Sequence, residues 1–198
     1  MADEAPKSLP LHLAWIGTLC GSLLVLLGDV LPVRMNFVRP DTLFGCLLEV
    51  QIAFLLFVWP LFVPSIARGP RIPVEGVLLL ISSLPLLLIA ANVSNIAPGA
   101  FAAALLLLGA LAAFPAAVLV LGERRRWKLG PWLLLGLFAA AALFPFLRFV
   151  AGPDWSWLSK ASPFWAAGEG DYAWPALVYG LLSAAALAAA RLLPARVS

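Results

Sequence analysis

The run Thr42-Leu-Phe-Gly-Cys-Leu-Leu-Glu-Val-Gln-Ile-Ala-Phe-Leu-Leu-Phe-Val-Trp-Pro-Leu-Phe-Val-Pro-Ser-Ile66 decides the class of fold. It carries one charged side chain, Glu49, and exceeds the roughly 20 apolar residues of helix that cross a bilayer core. The rest of the chain is of the same kind. Of its 198 residues 63% are hydrophobic and 12% charged, with a mean hydropathy of +1.01. An ordinary soluble domain carries roughly 25% charged residues. A chain this short cannot hide so much apolar surface in a core of its own, because small domains leave a large share of their surface in water. Lipid has to be the second solvent.

Working outward from that run, five further stretches have the length and composition of membrane spans. One precedes it, Leu11 to Leu31, and four follow: Val74 to Ala91, Ala97 to Leu121, Leu129 to Val150 and Tyr172 to Leu193. The third and fourth spans are divided only by Asn92-Val-Ser-Asn95 and Pro98-Gly99, a polar turn signal suited to a tight helical hairpin. The start, Met1-Ala-Asp-Glu-Ala-Pro-Lys7, lacks the basic region of a secretory signal, so the first span is expected to be retained. The expectation is an all-α fold: one transmembrane domain over residues 1–198, a six-helix bundle with short interfacial helices between the fifth and sixth spans. Cys20 and Cys46 both fall in apolar segments and make neither a disulfide framework nor a metal spacing.

Arginine and lysine in the connections set the orientation. Lys7, Arg68, Arg71, the cluster Glu123-Arg-Arg-Arg-Trp-Lys128, Arg191 and Arg196 all fall on one side of a six-span chain. The other side holds Arg34, Arg39 and Lys160, the last offset by Asp154, Glu169 and Asp171. Both termini are therefore expected inside, in the cytoplasmic membrane of a bacterium. The link before the last span is rich in aromatics, with Trp155, Trp157, Ser162, Pro163, Phe164 and Trp165 forming an expected outer-interface segment.

Few residues carry chemistry. His12 is the one histidine, which excludes paired-imidazole haem ligation and multi-histidine metal sites within the chain. No G-x-x-x-x-G-K phosphate loop and no G-x-S-x-G elbow occurs. No catalytic role, no cofactor and no nucleic-acid partner is expected. Glu49 and Gln51 in the second span and Asp29 near the end of the first are polar at membrane depth, where such groups are costly and face a bundle interior or a wet cavity. A pathway contact and a structural hydrogen bond both remain open for them. Gly17, Gly21 and Gly28 on the first span, and Gly180, Ala184 and Ala188 on the last, are spaced for close helix approach. Pro60, Pro85, Pro115 and Pro145 lie inside spans and are expected to kink them. The basic run from Arg124 to Lys128 sets topology or meets anionic lipid.

The second and third spans carry a resemblance. Leu48-Glu-Val-Gln-Ile-Ala-Phe-Leu-Leu-Phe-Val-Trp-Pro60, Ser65-Ile-Ala-Arg68 and Val74-Glu-Gly-Val-Leu-Leu-Leu-Ile-Ser-Ser-Leu-Pro85 are similar to the type-2 family of ABC transporter permeases, as is Trp157-Leu-Ser-Lys-Ala-Ser-Pro-Phe164 before the final helix. The resemblance implies six helices with inside termini, a separate ATP-binding subunit and a second membrane subunit as partners. It also implies a coupling loop, with Ser65, Arg68, Arg71 and Glu75 at the ATPase and Ser162 to Trp165 at the outer mouth. The family's acidic coupling segment is reduced here to Arg68-Gly-Pro-Arg-Ile-Pro-Val-Glu75, and its basic stretch before the first helix is nearly missing. The second expectation, of a different class, is a non-catalytic accessory or scaffold subunit of a larger membrane complex. A third, a membrane enzyme, needs catalytic groups from its partners.

Overall fold

The computed structural model describes residues 9–30, 42–125, 134–136, 138–139, 160 and 162–192. Among these every regular element is helical. Helix α1 runs Leu9–Val30. The decisive run forms α2 (Leu43–Ala53), a π-helical turn (Phe54–Val58) and α3 (Trp59–Ile66), end to end. Then come α4 (Arg71–Val93), α5 (Pro98–Arg125), the short α6 (Pro163–Glu169) and α7 (Ala173–Leu192). Four helical stretches are long and apolar enough to cross a membrane: Leu43–Ile66, Arg71–Val93, Pro98–Arg124 and Ala173–Leu192. Among the described residues the chain is all-helical, and its long apolar helices make it a protein of the membrane-spanning kind. Helix α1 is apolar over Leu11–Leu24, where its side chains are described.

Burial follows helical spacing. Helix α1 buries Leu11, Trp15, Leu19 and Leu23, and α4 buries Ile72, Gly76, Leu79, Ser83, Leu87 and Ala90. Those seams face the centre, where the α2–α3 rod contributes Phe44, Leu47, Leu48, Ile52, Leu55 and Trp59. The outward faces are apolar as well: Leu13 and Leu24 on α1, Val77 and Ile81 on α4, Leu177 and Leu181 on α7. A water-soluble bundle would put charge there. Hydrocarbon is the solvent that suits both faces.

Contacts fix the running directions. His12 and Trp15 of α1 bond to Glu75 and to the carbonyl of Leu79, so the first halves of α1 and α4 lie side by side. Phe44 meets Phe101 at the start of α5 and Tyr172 just before α7, Ser183 approaches the Ala110 carbonyl halfway along, and Arg124 reaches the Ala190 carbonyl at the far end. Helices α5 and α7 therefore run parallel. One end of the bundle gathers the start of α1, link 67–70 and the ends of α5 and α7; the other gathers the 94–97 turn, the start of α2, and α6.

Local chemistry explains the ends. Helix α4 closes with Asn95 in the left-handed region (φ 52°), while Ile96 N–H bonds to Ala91 O at 2.9 Å and Asn95 N–H to Asn92 O at 3.2 Å. This is the Schellman arrangement, and asparagine is the side chain that tolerates it best after glycine. Pro98 then opens α5, where its missing N–H costs nothing. The sequence places the start of the third span at Val74; the helix begins at Arg71, because the turn at Gly69 (φ 55°) and Pro70 comes that early and Pro73 is tolerated in a first turn. Helix α5 also runs past Leu121 to Arg125, taking in Glu123 and Arg124. Of the span prolines, Pro85 and Pro115 sit within unbroken α-helix, the geometry departs from α only beside Pro60, and Pro145 lies outside the described residues.

Candidate functional site

Three places combine polar groups with position. At the arginine-rich end, Glu123 accepts the N–H of Gly69 through Oε2 at 2.7 Å, tying link 67–70 to the last turn of α5. One residue on, Arg124 Nη1 donates to Ala190 O at 2.6 Å, satisfying a carbonyl near the end of α7. A cation there also suits the negative end of the helix dipole. On the same side His12 Nε2 lies 2.8 Å from Glu75 Oε2, the two side chains 18% and 16% exposed. Polar contacts at this level thus join link 67–70 to α5, α5 to α7, and α1 to α4.

The sequence assigns Ser65, Arg68, Arg71 and Glu75 to a coupling loop, and the structure divides them. Arg68 alone lies in the link; Ser65 belongs to α3 and donates to Phe62 O at 2.6 Å, a bond internal to its own helix. Arg71 and Glu75 stand in the first two turns of α4. Arg68 and Arg71 are exposed. Glu75 is partly buried on α4 and pairs with His12.

The bundle interior holds Gln51. Its residue is fully buried, and among the described residues neither Oε1 nor Nε2 has a hydrogen-bond partner. The indole N–H of the buried Trp59, two turns on, is in the same condition. A bare buried polar group costs roughly 1–3 kcal/mol. Ser82 and Ser83 of α4, by contrast, each bond to the carbonyl three residues back. Trp59 and Gln51 flank the π turn, in which Trp59 N–H bonds to Phe54 O, five residues back.

At the opposite end an open cleft of about 350 Å³ lies between α2, the 94–97 turn and the α6–α7 link, with Thr42, Cys46, Glu49, Ile96, Glu169 and Tyr172 on its walls. Glu49 points into it and is exposed, so it lies on the side of α2 away from Gln51. Helix α6 frames the cleft. Ser162 is its buried N-cap, its Oγ accepting from Trp165 N–H at 3.5 Å; Pro163 fills the first turn; and Gly170 (φ 77°) ends it. Phe164 stacks on Phe57 with centroids 6.2 Å apart, and Trp165 is half-buried. Ser94 Oγ of the hairpin turn accepts Phe44 N–H at 2.9 Å, capping α2 from another element.

Helix α6 thus packs on α2 and, through Phe164, on the π turn, while Trp155 and Trp157 lie outside the described residues, as does the side chain of Asp29. Sequence reasoning missed Gly45, whose Cβ, were there one, would stand 2.9 Å from Ala167 O and push α6 off α2. It singled out Gly17 and Gly21, beside which there is nothing within 4 Å. It also missed the partners of His12 and Glu123, since no spacing links residues over 50 positions apart. Compared with known proteins, the chain matches no family model, no curated protein and no solved structure.

Proposed function

We propose that the chain is a permease-like subunit of an ABC-type transporter: a six-span bundle in a bacterial cytoplasmic membrane, both termini inside, working with a separate ATP-binding subunit and a second membrane subunit. The observation that carries this reading is the junction at the arginine-rich end. Exposed Arg68 and Arg71 flank a link whose backbone is held by Glu123 of α5, beside the Arg124 contact to α7. A push on that link reaches the helices at once. Such a push biases the bundle only by the difference in its interaction with two states. The parallel course of α5 and α7 supports six spans, since a single return between them suits that course. Buried Leu134 and Phe138, the latter edge-on to Phe114 of α5, belong to that return.

Capture of the tagged full chain from its own membranes in mild detergent tests the reading. The expected result is co-purification of a nucleotide-binding protein that is lost on replacing Arg68 and Arg71 by alanine. Recovery without any nucleotide-binding protein, together with normal growth of the double variant, overturns it.

A second reading, an accessory subunit that scaffolds a larger membrane complex, is favoured by one observation. Link 67–70 is a bare turn with no helix of its own, a small handle for a motor. Glu49→Gln separates the two. A scaffold keeps full assembly and activity with the amide, whereas a carboxylate that meets substrate in the cleft does not.

A further inference from the structure

The cleft at the end away from the arginines has walls suited to one kind of ligand. It opens between α2, the 94–97 turn and the α6–α7 link, and its volume of about 350 Å³ falls in the roughly 300–1,000 Å³ range of small-molecule sites. Glycine keeps it open. Gly45 lets α6 close on α2, and a Cβ added to Gly168, on the cleft wall, would meet nothing within 4 Å. Two carboxylates, Glu49 and Glu169, stand on walls that hold no arginine, lysine or histidine among the described residues. Both are exposed, and among the described residues neither makes an ion pair or a hydrogen bond.

Two exposed carboxylates alone make only a solvated edge. Tyr172 adds an independent pointer. It is 5% exposed and lines the cleft, its ring nearly perpendicular to that of Phe44. Among the described residues its hydroxyl has no hydrogen-bond partner. Unlike the sealed Gln51 amide and Trp59 indole, that hydroxyl keeps some surface open, and the cleft is the open space that Tyr172 lines. A phenol buried to this degree ordinarily finds a partner. Beside it Phe44, Ile96 and Ala167 supply apolar wall.

These features discriminate among ligand classes. An anion would meet two carboxylates and no cation. A hard metal ion takes about six or more oxygen ligands, and among the described residues no three His, Cys, Asp or Glu side chains gather to hold one. An organic ammonium ion suits every wall. Its N–H groups donate to carboxylate and to the tyrosine oxygen, the first of these being the stronger, charge-assisted kind of bond, while its carbon skeleton covers the apolar side. We infer that this cleft is a binding site for a small protonated organic amine, held by the charges of Glu49 and Glu169 and by a hydrogen bond to the Tyr172 hydroxyl. Binding by the chain needs no ATP-binding partner, so the site stands whether or not the chain transports what it holds.

Ligand-observed NMR tests it on the full chain in phosphatidylcholine nanodiscs, with empty nanodiscs subtracted. Three probes of one shape are compared at neutral pH and low salt: 2-phenylethylammonium, the neutral 2-phenylethanol and the anionic phenylacetate. The ammonium should bind at least about tenfold more tightly than either of the others, and should lose affinity as salt rises. Glu49→Gln combined with Glu169→Gln keeps size and polarity, removes only charge, and should weaken ammonium binding about tenfold. Tyr172→Phe keeps the ring and should weaken it about threefold with the melting temperature unchanged, because the lost hydroxyl bonds no described residue. Gly168→Phe fills the cleft and should abolish binding. No ammonium binding up to about 10 mM, or equal binding of ammonium and alcohol, overturns the site. Wild-type affinity in the double glutamine variant or in Tyr172→Phe overturns it too, as does binding that survives Gly168→Phe in a folded chain. If Gly168→Phe fails to fold, the isosteric variants decide.

Discussion

At the scale of single residues, two glycines of similar sequence context have opposite roles. Gly45 has Ala167 O where its Cβ would go, at 2.9 Å, and backbone on the facing side cannot swing aside as a side chain can. Gly45→Ala should therefore lower stability by about 1–3 kcal/mol, as overpacking does, and loosen α6 from α2. Gly17→Ala meets nothing within 4 Å and gains helix propensity, so it should be neutral or stabilising by about 0.5–1 kcal/mol. Thermal melts of both variants in one detergent check the pair, and a larger loss at Gly17 would contradict the helix contacts. The His12–Glu75 contact gives a second test. Both side chains are mostly buried. A double-mutant cycle with His12→Ala and Glu75→Ala should return a coupling of about 1 kcal/mol. Additive losses would mean that the two side chains do not meet in the folded protein.

At the scale of elements, the sequence made the helices legible and left their ends and partners obscure. Long apolar runs identify Leu43–Ile66 or Pro98–Arg124 because hydrocarbon tolerates little else over that length. The same uniformity removes the contrast that marks a buried face in a soluble helix. Nothing local to Gln51 told that it is buried while Glu49, two residues earlier, is exposed. The hairpin turn was readable because asparagine, proline and glycine have backbone reasons to be there. The α4 start was not, because Arg71 looks like a loop residue until Gly69 and Pro70 are seen to close the turn. Polar ties between elements were the least readable feature. Glu123→Gln keeps a hydrogen bond to Gly69 but loses its charge assistance, and Glu123→Ala loses both. Hydrogen exchange of link 67–70 should accordingly rise in the order wild type, Gln, Ala. Identical exchange in all three would remove Glu123 as its anchor. Ser162→Ala, which strips the α6 cap, should cost about 1 kcal/mol and increase exchange in 163–169 without touching the link.

At the scale of the molecule, the sidedness of the polar ends follows from contacts rather than from charge counting alone. The start of α5 and the residue before α7 meet through Phe44, and their ends meet through Arg124 and Ala190. In the proposed six-span arrangement one crossing separates these parallel neighbours, which puts the positions flanking it on opposite sides. Asn95, in the hairpin turn, and Gly170, ahead of α7, then share one side; Arg68 and Arg191 share the other. In a chain with Cys20 and Cys46 replaced by serine, cysteines placed at these four positions should divide two and two. A membrane-impermeant maleimide added to intact cells should label Asn95→Cys and Gly170→Cys, and should reach Arg68→Cys and Arg191→Cys only after the membrane is opened. The direction of that division tests the inside placement of the arginines, because the positive-inside rule is a separate argument from the helix contacts. Labelling with the reverse polarity would keep the bundle and invert it. Labelling of Asn95→Cys and Gly170→Cys from opposite sides would break the parallel pairing of α5 and α7, and with it the six-span chain.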